Sequence, residues 1–229
     1  KDPAAIKIGE LKAPDGTPQP VTTAPKIEYS AKDLKRYVFV GTGRLLSLED
    51  QGNTQQQTLY AFRDGTKSRG VSFPITRAKM AAVTNLLAGA TADSATPMGW
   101  YYDLTGRFAS VGKPAVTERI VLNLQANDGV VTWGGSILND DPCNASGTTR
   151  LYSAYYGSGQ SVLSTVVGGQ RSRIEWLELS PGLADTSLVR IGYSIRVLGT
   201  DVRGGSKIYG STVAESGKPR VTNWRMIHE

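Results

Sequence analysis

Tyr37-Val-Phe-Val-Gly41-Thr-Gly43-Arg44, followed by Leu59-Tyr60-Ala-Phe-Arg-Asp64-Gly65, decides the fold, because the pattern returns ninety residues later. The second copy is Val130-Val-Thr-Trp133-Gly134-Gly135-Ser-Ile-Leu138, then Leu151-Tyr152-Ser-Ala-Tyr-Tyr-Gly157. Each copy is a glycine-bounded strand, a polar loop and a Leu-Tyr strand. Two adjacent strands cannot bury both of their faces alone. Stacking such units radially is how a β-propeller solves that problem. The sequence therefore predicts an all-β, propeller-type fold.

A blade needs about 40–50 residues, so 229 residues leave room for roughly five. A complete small propeller and the later blades of a larger, quinoprotein-like one both fit that length. A weaker echo supports repetition: Gly112-Lys-Pro-Ala-Val-Thr117 and Gly217-Lys-Pro-Arg-Val-Thr222 differ only at Ala115 and Arg220.

Other strands are expected at Ile6–Leu11, Trp100–Leu104, Glu118–Leu124, Arg173–Leu179, Ser187–Leu198, Lys207–Tyr209 and Trp224–Ile227. Asp64-Gly65 and Asn127-Asp-Gly129 carry the turn chemistry of hairpins. One stretch breaks the pattern. Ile75, Ala78, Lys79, Ala82, Val83, Leu86 and Leu87 fall on one helical face, between Pro74 and Gly89. A short inserted helix over 75–88, packed between blades, is the expectation.

The net charge is +6, but the basic residues are spread from Lys26 to Arg225 without a tract of five. That pattern reads as a solvated surface and gives no nucleic-acid site. No apolar run approaches the roughly 20 residues of a membrane helix. The start at Lys1-Asp2-Pro3 has no apolar signal core, so the chain reads as a soluble fragment or a processed product.

The motifs for chemistry are thin. Gly41-Thr-Gly43-Arg44 lacks the third glycine and the Lys-Ser/Thr of a phosphate loop. The single histidine, His228, and the single cysteine, Cys143, exclude a zinc site built from both types and leave no well-placed triad base. Cys143 has no internal partner. Asn139-Asp-Asp141 and Asn127-Asp128 lack the alternating acids of a calcium loop and read as turns. Arg63-Asp64-Gly65 is not an Arg-Gly-Asp motif. No catalytic, cofactor-binding or metal-ligating residue is therefore expected.

The ordered series Pro18-Gln-Pro-Val-Thr-Thr-Ala-Pro25, Tyr37–Arg44 and Asn53-Thr-Gln-Gln-Gln-Thr-Leu-Tyr-Ala61 resembles the C-terminal propeller of the PilY/PilC family of type IV pilus biogenesis factors and tip adhesins. Ile75-Thr-Arg77, Gly99-Trp-Tyr-Tyr-Asp-Leu104, Asn139-Asp-Asp-Pro-Cys143 and Leu151-Tyr152 continue it in order. The resemblance covers about residues 6–157, with Val221-Thr-Asn-Trp224-Arg225 as a closing strand; residues 158–220 depart from it.

Such a resemblance implies a secreted, non-enzymatic protein at the periplasm, outer membrane or pilus tip. It implies minor pilins as partners, with surface or host receptors beside them, and roles in pilus assembly, twitching motility and adhesion. The family's aspartate-rich calcium nonamer has no counterpart here, which confines any calcium to parts of a longer protein. Loop 46–57, loop 139–149 and the insertion 158–172 are the candidate contact regions; Tyr152, Tyr155 and Tyr156 could anchor a partner, but packing inside a blade is the favoured reading of that cluster. The alternative is a quinoprotein dehydrogenase-like propeller, since Leu-Tyr-Ala followed by Asp-Gly also resembles its repeats.

Overall fold

A computed structural model describes residues 5–64, 72–90, 98–109, 111–139, 147–191 and 194–213. The first sheet takes β1 (Lys26–Ser30), β2 (Lys35–Gly41), β3 (Thr58–Asp64), the short β4 (Ala81–Ala82) and β5 (Gly99–Asp103), in the order β1-β2-β3-β5-β4. Only β4 runs parallel to its neighbour. After the two-residue strands β6 (Arg107–Phe108) and β7 (Val116–Thr117) come β8 (Gln125–Asn127), β9 (Val130–Ile137) and β10 (Thr148–Tyr155). A ribbon of β11 (Ser164–Val167) and β12 (Gln170–Arg173) interrupts before β13 (Leu177–Leu179) completes the second sheet, ordered β13-β10-β9-β8. The third sheet is a meander of β14 (Leu183–Ile191), β15 (Ser194–Asp201) and β16 (Ser206–Val213).

The repeated cassette explains how these sheets stack. Side chains alternate across a strand, so Leu59 and Tyr60 point to opposite faces of the first sheet, as Leu151 and Tyr152 do in the second. Leu59 joins Phe39, Ala61 and Trp100 in one core, where it meets Trp133, Tyr152 and Ala154 of the second sheet. Leu151 looks the other way, into a core with Leu183 and Val197 of the third sheet. The leucine face thus looks forward to the next sheet and the tyrosine face looks back to the preceding one. That common direction is the packing of successive propeller blades. The tyrosine face of the first sheet, with Tyr60 and Phe62, is covered by Ile8, Leu11, Ile75 and Met80.

The Leu-Tyr strand of the first cassette is β3, the predicted strand at Trp100–Leu104 is β5, and β2 contains Tyr37–Val40. Asn127-Asp-Gly129 is the β8–β9 hairpin turn, with φ of 50° at Asp128 and 84° at Gly129, as a mirror-image turn demands. Among the described residues three sheets form the stack, where length alone left room for roughly five blades.

Three expectations need correction. The inserted helix over 75–88 does not form. Arg77–Lys79 make a single 3-10 turn, and Ala81–Ala82 then pair with β5. The helix-like spacing arises because two separate cores draw on the segment. Ile75 and Met80 fill the one behind Tyr60, whereas Val83 and Leu86 fill the one before Trp100. Glu118–Leu124 is no continuous strand either: Arg119 bridges Ser136, and alternate residues are taken by different partners. Ile6–Leu11 makes only the isolated bridge of Gly9 to Ile75.

Two boundaries also shift. Ser187–Leu198 spans the junction of β14 and β15 rather than one strand, and Arg173–Leu179 divides between β12 and β13. Gly65, Cys143, His228, the second copy of the Gly-Lys-Pro echo and the Trp224–Ile227 strand lie outside the described residues.

Trp133 is fully buried at the joint of the first two sheets. Trp133→Ala is expected to lower stability by about 3–5 kcal/mol, as large-to-small changes of buried aromatics do. Equilibrium denaturation in urea checks this, read as a fall in the midpoint at unchanged slope.

Candidate functional site

The loop leaving β2 is shaped by a pair of glycines. A Cβ on Gly41 would stand 2.5 Å from the Ile120 side chain, and one on Gly43 would stand 2.8 Å from the Ile120 backbone. The glycines therefore admit the crossing segment 119–120, whose Ile120 N–H reaches the Thr42 carbonyl at 3.0 Å. Close backbone approach, rather than a phosphate cradle, accounts for Gly41-Thr-Gly43.

That crossing delivers Arg119, a guanidinium only 1 % exposed, beneath the loop. It donates to the carbonyls of Arg44 at 3.3 Å and Asn53 at 3.2 Å, and also to the carbonyl of Asp50. Burial pulls its pKa down, opposed by the nearby Asp50 charge. Asp50 is 2 % exposed and works from inside the loop. It accepts the N–H of Leu46 at 2.9 Å, the N–H of Ser47 at 3.1 Å and the Arg44 guanidinium at 2.7 Å. The buried cation and the tucked carboxylate together hold a 3-10 turn at Leu48–Gly52. Outward it presents two leucines, Leu46 at 76 % and Leu48 at 81 % exposure, between the exposed Ser47 and Glu49.

Gln55, Gln56 and Gln57 of predicted loop 46–57 are drawn toward the neighbouring chain, while Glu49, Gln51, Gly52 and Thr54 stay exposed. Gln55 donates to the Pro18 carbonyl at 2.8 Å and Gln56 to the Leu104 carbonyl at 2.7 Å, and Gln57 is buried. The glutamine run is thus a staple between Pro18 and Leu104, and the exposed leucines lie in the N-terminal half of the loop. Of loop 139–149, residues 140–146 lie outside the described residues, and Thr148 and Thr149 already belong to β10.

The insertion 158–172 has two parts. Residues 158–163 are tied to the core: Ser161 N–H bonds the Leu86 carbonyl and Ala90 N–H the Ser158 carbonyl, both at 2.6 Å. Beyond them β11 and β12 form a hairpin that turns at Gly168-Gly169. Cross-strand register places Ser164, Val166, Arg171 and Arg173 on one face. Val166 is 64 % exposed, and every residue of β12 is exposed. This face joins an apolar side chain to two arginines for which no acid partner occurs among the described residues.

The tyrosine cluster does not serve as a contact patch. Tyr152 and Tyr156 are fully buried, and Tyr155 packs half-buried beside Val130 and Val162. Asp128, on the β8–β9 turn, forms an ion pair with Arg190 of β14 at 2.8 Å. Among the described residues no three His, Cys, Asp or Glu side chains gather where a metal ion could sit. No helix among them is long and apolar enough to cross a membrane. Sequence reading missed Asp50 and Arg119. Their only signal was a charged pair next to hydrophobic loop residues, and nothing local tells that they meet.

The stacked sheets define an all-β, propeller-like fold. In a comparison of folds, the chain is similar to the crystal structure of the Pseudomonas aeruginosa PilY1 C-terminal domain, with a TM-score of 0.61 and 16 % sequence identity. The match covers 90 % of this chain and 48 % of that one, so the chain spans about half the length of the solved domain. No protein-family model matches the chain, and no curated protein matches it in sequence.

The Leu46 and Ser47 amides report on the loop's carboxylate. Donation from the Leu46 N–H, then from Arg44, holds the Asp50 carboxyl below its ordinary value of 3.8. A depressed carboxyl contributes stability at neutral pH that is lost as pH falls through the depressed value. Exchange protection of these two amides is expected to hold from neutral pH down to the ordinary carboxylate range and to vanish below it. Asp50→Asn should remove the protection at every pH, as followed by amide hydrogen exchange.

Proposed function

We propose that this chain is a non-enzymatic component of the type IV pilus machinery, acting at the pilus tip in biogenesis and surface attachment. The observation that carries the reading is the fold. A propeller-like stack over nine-tenths of the chain matches the PilY1 C-terminal domain, and the ordered motifs at 18–25, 37–44, 53–61 and 99–104 resemble the same family. In this reading the protein works outside the cytoplasm, secreted to the periplasm, outer membrane or pilus surface. Its partners are minor pilins, with surface receptors as a second class.

The contact surface is the Leu46–Leu48 turn, together with the Val166, Arg171 and Arg173 face of the hairpin. A turn locked by Arg119 and Asp50 loses little further conformational freedom on binding, which favours its exposed leucines as anchors. The arginines suit an acidic rim on the partner, where they raise the association rate at low salt.

The test is capture of purified minor pilins by the purified protein, read by surface plasmon resonance beside its visible absorbance. Capture by a colourless protein is expected. Leu46→Asp combined with Leu48→Asp should weaken it by about tenfold or more, since burying a charge at an anchor is costly. Its melting temperature should not change, because both side chains face solvent. A coloured protein with dye-linked dehydrogenase activity and no pilin bound would overturn the proposal and promote the quinoprotein alternative.

A further inference from the structure

Lys35 and Tyr37 alternate onto the same face of β2, and Arg63 stands opposite Tyr37 on β3. This is the face that carries Phe39, Ala61 and Trp100 into the core between the first two sheets. Towards Lys35 the apolar cover from the second sheet stops, because Tyr156 is followed by Gly157. A cavity of about 170 Å³ opens there, lined by Asp33, Lys35, Tyr37, Arg63, Trp100 and Gly157, with Ala81, Ala90 and Gly99 keeping the remaining wall low. A cavity of about 150 Å³ accepts benzene, so this one takes a ligand the size of a small amino acid.

Its charged groups are not balanced among themselves. Asp33 accepts the Tyr37 hydroxyl through Oδ2 at 2.5 Å, while its Oδ1 is buried without a hydrogen-bond partner. Neither Lys35 nor Arg63 forms an ion pair among the described residues. The contrast with their neighbour is clear, for Arg36 is paired with Asp64 at 2.5 Å. Two cations and one carboxylate leave a net charge of +1 around the cavity, which a monoanion neutralises. A phosphate dianion would overshoot that charge beside Asp33. A carboxylate suits the guanidinium and ammonium through charge-assisted hydrogen bonds. The spare Asp33 oxygen calls for an N–H or O–H donor on the same ligand.

We propose that this cavity binds a carboxylate that carries a neighbouring hydrogen-bond donor, of the size of one amino acid. The site stands independently of the pilus reading. Free amino acids and the carboxyl end of a peptide share this chemistry, and the choice of probe separates them.

Trp100 is the reporter, since its indole N–H bonds the Tyr156 carbonyl at 2.6 Å beside the cavity. The indole resonance is followed by NMR while alanine, N-acetylalanine, N-acetylalaninamide or inorganic phosphate is added. Saturable shifts with a carboxylate, and none with the neutral amide, are the expected result. Tighter binding of alanine indicates a free amino acid, and tighter binding of N-acetylalanine a chain end. Lys35→Gln and Arg63→Gln should each weaken binding by about tenfold or more. Gly157→Leu should abolish it by filling the cavity. A Cβ there meets only Tyr37 Oη at 3.5 Å and Asp33 Oδ2 at 3.7 Å, so the backbone is not strained. Arg36→Gln should leave binding intact. Equal shifts with the neutral amide, tighter binding of phosphate, no shift at all, or full binding in the Lys35 and Arg63 variants would each overturn the proposal.

Discussion

The stack of Trp133 on Tyr152 is the constraint on which the other contacts depend. The rings are parallel to within 5° at a centroid distance of 4.9 Å, on paired residues of β9 and β10. Tyr102 reaches across from the first sheet to 5.8 Å from Tyr152, and Trp176 closes the far side at 6.1 Å. A seam of this kind buries large apolar area while leaving polar tips to satisfy. Tyr152 Oη donates to Glu118 at 2.8 Å, and the same carboxylate accepts the Gly106 N–H at 2.8 Å. Burial pushes the Glu118 carboxyl and the Tyr152 hydroxyl up from their ordinary values, so this polar edge is held by geometry against its desolvation. Because Glu118 is adjacent to Arg119, the seam also fixes the residue that supports the Leu46–Leu48 turn.

The direction of stacking follows from a two-residue word. A Leu-Tyr dipeptide in a strand must send its side chains to opposite faces, and both copies use leucine forward and tyrosine backward. That regularity is legible in the sequence because it is local: period-two alternation, bounded by glycine, needs no knowledge of the rest of the chain. The same locality misleads at 75–88. There a spacing of three and four arises from two cores on opposite sides of one sheet, and only the tertiary arrangement shows that Ile75 and Leu86 never share a face. Glu118–Leu124 fails for a related reason. Its alternation is real, but the segment crosses a sheet edge and its polar members are consumed by Tyr152 and by loop carbonyls.

The structure of the proposed contact surface was legible in outline and not in detail. Polar composition located loop 46–57 and the insertion after Gly157, since loops on a rigid scaffold are where recognition resides. Composition could not divide either region into the part that holds and the part that presents. Gln55, Gln56 and Gln57 look as solvated as any polar run, yet their amides close carbonyls from Pro18 to Leu104. Leu46 and Leu48 look like core residues and are among the most exposed apolar side chains. The tyrosines after Leu151 follow the favoured reading of packing inside a blade: strand alternation places Tyr152 in the core and the following turn buries Tyr156.

The two presenting elements differ in how they are supported, and this bears on how each would act. The Leu46–Leu48 turn is braced by a buried guanidinium and a carboxylate with three donors, so its shape is set before any partner arrives. The β11–β12 hairpin rests on four ladder pairs, with β12 exposed along its length, and such two-stranded ribbons are marginal on their own. A rigid apolar turn supplies contact at little entropic cost. A lightly supported basic ribbon supplies attraction at a distance and adapts its final fit. The division of labour follows from burial: the turn at the first joint has the buried Arg119 beneath it, whereas every residue of β12 is exposed.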